Sequence, residues 1–454
     1  MYLVDDDPLD AIVIGAGLSG LAAANRLHAA GKRVRVIEAR ERVGGRTWTV
    51  DFVGGPVDLG GQWIGPGQDR VQALCRDLDI QWYEQYQVGE KLTEYDGEVR
   101  RYRGYLPKLP LFALAELGVA ITRIDRAARR VPREAPWQAR QAAKLDAIDV
   151  ASWLKKQVLS HGARTSLRIA TEAIFAAHPR DISLLYFLHY VNCAGGIERL
   201  TRITDGAQNW KIEGGAQRLS MRLAERLGRA LRLGEPVIAI EQDEQGVSVR
   251  THAGVHRAAR VILATAPGLA ATIDFTPALP PARIGLQDAM KMGRVIKALV
   301  GYDLPFWRSL GLSGEAISEG LSVRMAFDAC GQRSSAPARL VAFVLGDQAE
   351  RLSKVSATIR REVITADLVR LFGPEAARPI GYVDCNWADE VWSAGCYVGL
   401  LAPGKVCELS SALREVVGRI HFAGTEAATR WVGYMEGAIE SGERAAAEVA
   451  LALA

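Results

Sequence analysis

In the stretch IVIGAGLSGLAAANRL the glycines fall at positions 15, 17 and 20, directly behind an apolar run and directly ahead of an alanine-rich one. That spacing suits phosphate binding. Gly15 lets a strand turn tightly into a helix, Gly17 lets backbone N–H groups approach a pyrophosphate, and Gly20 leaves room for the helix to pack on the strand. The helix N-terminus adds a field that favours the phosphates. Glu38 ends the second apolar run, RVRVIEA, about twenty residues on, where its carboxylate can accept both hydroxyls of a ribose. Its charge disfavours a 2′-phosphate, so the spacing predicts a strand, helix and strand that bind a dinucleotide other than NADP.

Reactive side chains of other kinds come later. Lys297 lies in the strand-like run GRVIKALVGY, Cys396 and Tyr397 are adjacent in SAGCYVG, and Tyr434 lies in RWVGYMEGA. On local sequence alone, a lysine in an alternating strand faces solvent, and a free cysteine is a small packing residue. Tyrosines are ordinarily core aromatics, yet two electron-rich rings that face each other can also guide an amine.

Composition narrows the classes. The chain has 454 residues, 49% hydrophobic and 24% charged, with net charge +4. That excess is too small to argue for nucleic acid, and the densest basic stretch, RIDRAARRVPR at 123–133, reads as a solvated helix face. The six cysteines form no C-x-x-C pair and the seven histidines do not cluster, so no metal site is expected. The acidic opening MYLVDDDPLD has no apolar core for a leader, and no run nears 18 apolar residues.

The elements that must position these groups can be read coarsely. Residues 81–208 have a helical pattern, with IDVASWLKKQVL as an amphipathic helix and ISLLYFLHYVNCAGG as a buried one. A helix is predicted over 218–227, then strands over 236–241, 246–251 and 256–264.

The stretches GRVIKALVGYDLPFWR, DCNWADEVWSAGCY and IHFAGTEAATRWVGYMEGAIESGERAAAEVA together closely resemble the flavin-containing monoamine oxidases, and the likeness runs from Asp10 to the last helix. RVGGRT and DLGGQWIG resemble the flavin-contacting loops of the same superfamily. The resemblance implies an α/β fold in which a Rossmann-type FAD-binding domain (residues 8–80, 209–287 and 390–454) is interleaved with an α+β substrate domain (residues 81–208 and 288–389). It implies that FAD is contacted by Gly15, Gly17, Gly20, Glu38, Arg40, Gly44, Gly45, Arg46, Gly61, Gln62, Trp63, the backbone of Val237, Gly424, Thr425, Glu426 and Met435. Cys396 matches the cysteine that bonds the flavin 8α-methyl, although many bacterial relatives have another residue there and hold FAD without a bond. Tyr397 and Tyr434 match the paired tyrosines before the flavin, Trp387 a tryptophan near it, and Gln208 a glutamine that orients substrate. Lys297 matches a lysine that approaches flavin N5 through a water, with a role in O₂ reactivity or positioning.

The implied reaction passes the α-carbon hydrogen of a neutral amine to the flavin. The resulting imine hydrolyses to an aldehyde, and O₂ reoxidises the flavin to give H₂O₂. SVRMAFDAC places Arg324, Met325 and Phe327 where a cavity wall is expected; an arginine there disfavours a dication, while Arg324 reads equally as a surface residue. The arginine that clamps a carboxylate in amino-acid oxidases is missing from GGQWIGPGQDR. A monoamine with an apolar or aromatic body is therefore expected. A putrescine or polyamine oxidase, a related dehydrogenase, and more remotely a non-catalytic FAD scaffold remain as alternatives. Ala454 is reached without the membrane helix of the animal enzymes, so a soluble cytoplasmic protein is expected, with a homodimer carried by resemblance alone.

Overall fold

The computed structural model describes residues 3–4, 9–106, 109–331 and 336–454. Residue 8, the expected start of the FAD-binding domain, lies outside them. The first apolar run forms the strand Leu9–Ile14, and Gly15, at φ +102°, turns it into the helix Leu18–Ala29. The chain returns as Val34–Ile37, parallel to the first strand with Ala11 opposite Val34 and Ile14 opposite Ile37. Gly254–Leu263 flanks the first strand on its other side and also receives Ile420–Phe422, both in parallel.

Alternation sorts the two faces of the first strand. Ala11 and Val13 join a core with the helices Leu18–Ala29, Gln217–Leu227 and Met435–Ala452. Ile12 and Ile14 join another with Ile240, Val249, Ile420 and Phe422. Burial on both faces explains why parallel strands read as continuous apolar runs. The strands predicted over 236–241, 246–251 and 256–264 form as Val237–Gln242, Val247–Thr251 and Gly254–Leu263, antiparallel to one another at the edge of this sheet.

A second sheet has the order Gly381–Asn386, Val295–Tyr302, Ala338–Leu345, Val323–Asp328, Leu312–Ser318, Glu90–Tyr95, Glu98–Tyr102. Here the helical reading of residues 81–208 fails at its start, because Trp82–Glu84, Glu90–Tyr95 and Glu98–Tyr102 are strands. The last two are joined by Asp96–Gly97, with φ +50° and +78°, the conformation a two-residue type I′ hairpin needs. Beyond them the pattern does become helical. Leu111–Ala128, His161–Phe175 and Leu184–Ala194 share one core, and the third is buried almost all round. Ser160 and Ser183 start the last two helices by accepting the Ala163 and Tyr186 N–H groups. The basic stretch turns Ile124, Ala128 and Val131 inward and most of its arginines to solvent. Among the described residues, no helix is long and apolar enough to cross a membrane.

Candidate active site

A continuous cavity of about 440 Å³ is lined from both sheets. At one end its wall is Gly15, Gly17, Ser19, Glu38, Arg40 and Val237. Glu38 is held in place by accepting the Ala16 N–H (2.6 Å) and the Arg40 N–H (3.0 Å). Arg40 is held in turn, donating to Ser393 Oγ at 2.7 Å and lying 3.3 Å from Glu390.

The glycines divide by what a methyl group would meet. On Gly20 it would lie 2.0 Å from the Gly15 carbonyl oxygen, so this glycine serves the packing of helix on turn and is not part of the cavity wall. On Gly17 it would meet nothing within 4 Å and would project beside the open cavity. Gly17→Ala is therefore expected to fold with near-parent stability and bind dinucleotide weakly, whereas Gly20→Ala loses stability outright. Thermal melts with and without added cofactor separate the two.

Gly44, Gly45 and Arg46 form the next stretch of wall. Arg46 grips Glu426 through two parallel bonds, Nη1 to Oε1 at 2.6 Å and Nη2 to Oε2 at 3.0 Å, and also donates to the Tyr397 carbonyl at 2.9 Å. Burial alone would raise the Glu426 carboxyl, but Arg46 and the Gly399 N–H overcome it and hold it below its ordinary range. Glu426 does not itself reach the cavity; it acts through Arg46. Gly424, Thr425, Tyr434 and Met435 do line it, at the N-terminus of the helix Met435–Ala452.

Toward the second sheet the wall is Gly61, Gln62, Trp63, Gln208, Lys297, Cys396, Tyr397 and Tyr434. The Tyr434 ring packs edge-on against Trp431 (5.1 Å between centroids), and burial raises both phenols, Tyr397 and Tyr434, so they stay protonated. Trp63 is stacked on Phe343 and bonded through Nε1 to Gln85. Trp387 is set back from the cavity, edge-on to Trp48, with Nε1 donating to the Leu59 carbonyl at 3.0 Å. It positions the loop that carries Gly61 and Gln62. Of the six cysteines, all unpaired, only Cys396 lines the cavity. Burial pushes its thiol up to about 12, against the pull of Arg46.

Lys297 is 2% exposed, not solvent-facing. Its strand lies between two others in the second sheet and every residue of it is buried, so alternation offers no wet face. Nζ donates to the Gly60 carbonyl at 2.8 Å and to Gln62 Oε1 at 2.5 Å. Burial lowers its proton affinity to about 7, with Asp58 opposing and Lys211 reinforcing the shift.

The Flavin containing amine oxidoreductase family matches residues 18–450. A putative flavin-containing monoamine oxidase of Mycobacterium tuberculosis is 38% identical over 445 residues, 98% of this chain and 97% of that one. The chain belongs to the flavin-containing monoamine oxidase family. Amine oxidase B of Sus scrofa is 37% identical over 97% of this chain and 86% of its own. Among solved structures, cyclohexylamine oxidase from Brevibacterium oxydans is 35% identical with a TM-score of 0.94, covering 98% of this chain and all of its own. Putrescine oxidase bound to putrescine is 32% identical with a TM-score of 0.95, over 99% of this chain and all of its own.

The residues of this amine oxidase fit the flavin its family carries. Three buried polar atoms on the cavity wall, Gln62 Nε2, Thr265 Oγ1 and Gln208 Oε1, have no partner within the protein, and buried polar atoms are rarely left so. Arg324 needs correcting on both readings. It is neither on the surface nor on the cavity wall, being 4% exposed, 3.0 Å from Glu172 and bonded to the Ser318 and Glu319 carbonyls. Met325 and Phe327 do line the cavity. Missed by the sequence reading were Thr265, Phe343 and the carboxylates Glu94 and Glu315, all on the wall.

Proposed function

We propose that this amine oxidase converts a primary monoamine with an apolar or aromatic body to an aldehyde, ammonia and H₂O₂. FAD is the cofactor, joined by a thioether to Cys396. The observation that carries this reading is the placing of Tyr397 and Tyr434 on the wall of one cavity that continues into an apolar chamber of Ile174, Leu200, Ile203, Met325 and Phe327. When bound, FAD supplies the oxidation, accepting the hydrogen and electrons lost from the amine α-carbon.

The protein's part is positioning. The rings of Tyr397 and Tyr434 flank the amine with electron-rich faces, and neutral phenols leave no carboxylate to hold it as an ammonium. Gln208, whose Nε2 is committed to the Leu200 carbonyl, has Oε1 free to accept from the amine N–H. Glu38 and the Gly15–Gly17 turn serve the adenosine and phosphate end. The division into an FAD-binding domain over 8–80, 209–287 and 390–454 and a substrate domain over 81–208 and 288–389 belongs to the same reading, supported by the two large sheets, each of which, apart from the strand Leu3–Val4, draws on one set of segments.

The putrescine alternative draws on Glu94 and Glu315, either of which could hold a distal ammonium. Both are already engaged. Glu315 pairs with Lys91 at 2.8 Å, and Glu94 accepts the backbone N–H groups of Gly97, Glu319 and Gly320. This replaces Arg324 as the argument against a dication. The test is peroxide release across phenethylamine, a long alkylamine and putrescine. Turnover of the first two and not the third is expected; preference for putrescine would overturn the substrate assignment. For the thioether, acid-precipitated protein is expected to stay yellow, and Cys396→Ala to release its colour into the supernatant.

A further inference from the structure

We infer that Asp58 and Lys211 are positioning residues of the oxidase site, an opposed pair of buried charges that sets how many protons Lys297 holds. This rests on the reading of Lys297 as a working group of that site. Behind the cavity wall lies a group of charges the proposed chemistry does not use. Asp58 is two residues before Gly60 on the segment that receives the Lys297 ammonium. It is buried, accepting at Oδ1 from Thr49 Oγ1 (2.6 Å) and from the Ala216 N–H (2.9 Å). Lys211 lies on the short strand Trp210–Ile212, opposite Trp63, whose ring lines the cavity. It is buried too, and among the described residues its ammonium makes no hydrogen bond and no ion pair within reach.

Counting charges gives the consequence. The titratable groups whose charge acts on Lys297 include Asp58, Lys211, Cys396 and Cys385; those that act on Lys211 include Asp328, Asp58, Cys330 and Arg339. Tyr83 faces Asp58 from the neighbouring strand. Asp328 is already committed to Arg308 at 2.8 Å and to the Trp307 N–H. The Arg339 guanidinium donates to the Phe52 and Gly55 carbonyls and, among the described residues, to no carboxylate. Among the described residues, Asp58 is the one of these two carboxylates that makes no ion pair with an arginine. Burial raises the thiols of Cys330 and Cys385 and the phenol of Tyr83 to about 11 or 12, and Cys396 as the proposed thioether has no proton to lose, so none of these adds a negative charge near neutral pH. An uncompensated buried ion costs several kcal/mol, and arginine does not give up its proton. The adjustment therefore falls on the lysines and on Asp58, whose carboxyl burial raises against the pull of Lys297 and Lys211. Asp58 favours the proton on Lys297, and Lys211, a like charge, disfavours it.

Opposite signs make the test. Lysine labelled with carbon-13 at Cε reports protonation directly, and the Lys297 signal is the one lost in Lys297→Met holoprotein. Asp58→Asn keeps an Oδ1 to accept both existing bonds while removing the charge, and is expected to lower the Lys297 midpoint by about one pH unit or more. Lys211→Met is expected to raise it by a similar amount. The same two shifts should appear in the pH profile for reoxidation of dithionite-reduced protein by O₂. Unmoved midpoints, or two shifts of the same sign, would overturn the inference; if Asp58→Asn does not fold, a failure of Lys211→Met to raise the midpoint does so alone. If instead Lys297→Met leaves the reoxidation profile unchanged while the NMR midpoints move as expected, the charge pair stands and the working role of Lys297 fails.

Discussion

Glu426→Ala is expected to cost about 3–5 kcal/mol of folding stability and to keep the protein from taking up its flavin as it is made, because it leaves a largely buried arginine without its partner. The Glu426 side chain is 1% exposed, and the quarter of Arg46 that is exposed opens on the cavity. Arg46 spans three pieces of chain: its own glycine turn, the Tyr397 backbone and Glu426. Losing one end releases the other two. The double change Glu426→Ala with Arg46→Met should recover much of the stability but not the flavin, since the unpaired charge is gone while the wall remains altered. The pair also gives the fold an acid limit. Glu426 is held below its ordinary carboxyl value, so its contribution is complete above that value and is lost as pH falls through the folded one. Urea titrations at neutral and acid pH should show the parent converging on the double variant as pH falls.

Lys297→Met is expected to slow reoxidation of the reduced flavin by O₂ on the order of 100-fold, with a much smaller effect on reduction by amine under anaerobic conditions. The side chain is buried on the cavity wall between Gly60 and Gln62, and it does not touch the tyrosines that flank the amine. In the proposed role of Lys297, a cation there acts where negative charge develops on oxygen. Because burial lowers Lys297 to about 7, the parent reoxidation rate should change across neutral pH, and the Lys297→Met rate should not. Stopped-flow mixing of reduced protein with O₂ at several pH values measures both.

What the sequence disclosed was mostly local. The glycine spacing and Glu38 specify a turn whose parts all lie within thirty residues or so, and the strand, helix and strand formed where their periods placed them. The Asp96–Gly97 hairpin was also written locally, and the helical composition that follows it outweighed the signal. Arg324 could have been resolved from strand alternation alone: with Met325 and Phe327 facing the cavity, Arg324 must point the other way. Lys297 could not be placed so. Its burial depends on strands from Ala338–Leu345 and Gly381–Asn386 covering both flanks and on packed layers above and below. The setting back of Trp387 and Glu426 is of the same kind, since matching a motif locates a residue near a site without saying which side of the wall it occupies. Asp58 and Lys211 left no trace at all, because nothing in either segment marks the other as a neighbour.

The most direct measurement is anaerobic mixing of the purified yellow protein with phenethylamine, followed at the flavin absorbance band, with putrescine as the comparison. Complete bleaching by phenethylamine and little by putrescine is the expected result, and Tyr397→Ala with Tyr434→Ala should slow it steeply. If no amine bleaches the flavin, the cavity holds a cofactor without using it on amines, and the account of an amine flanked by Tyr397 and Tyr434 is wrong.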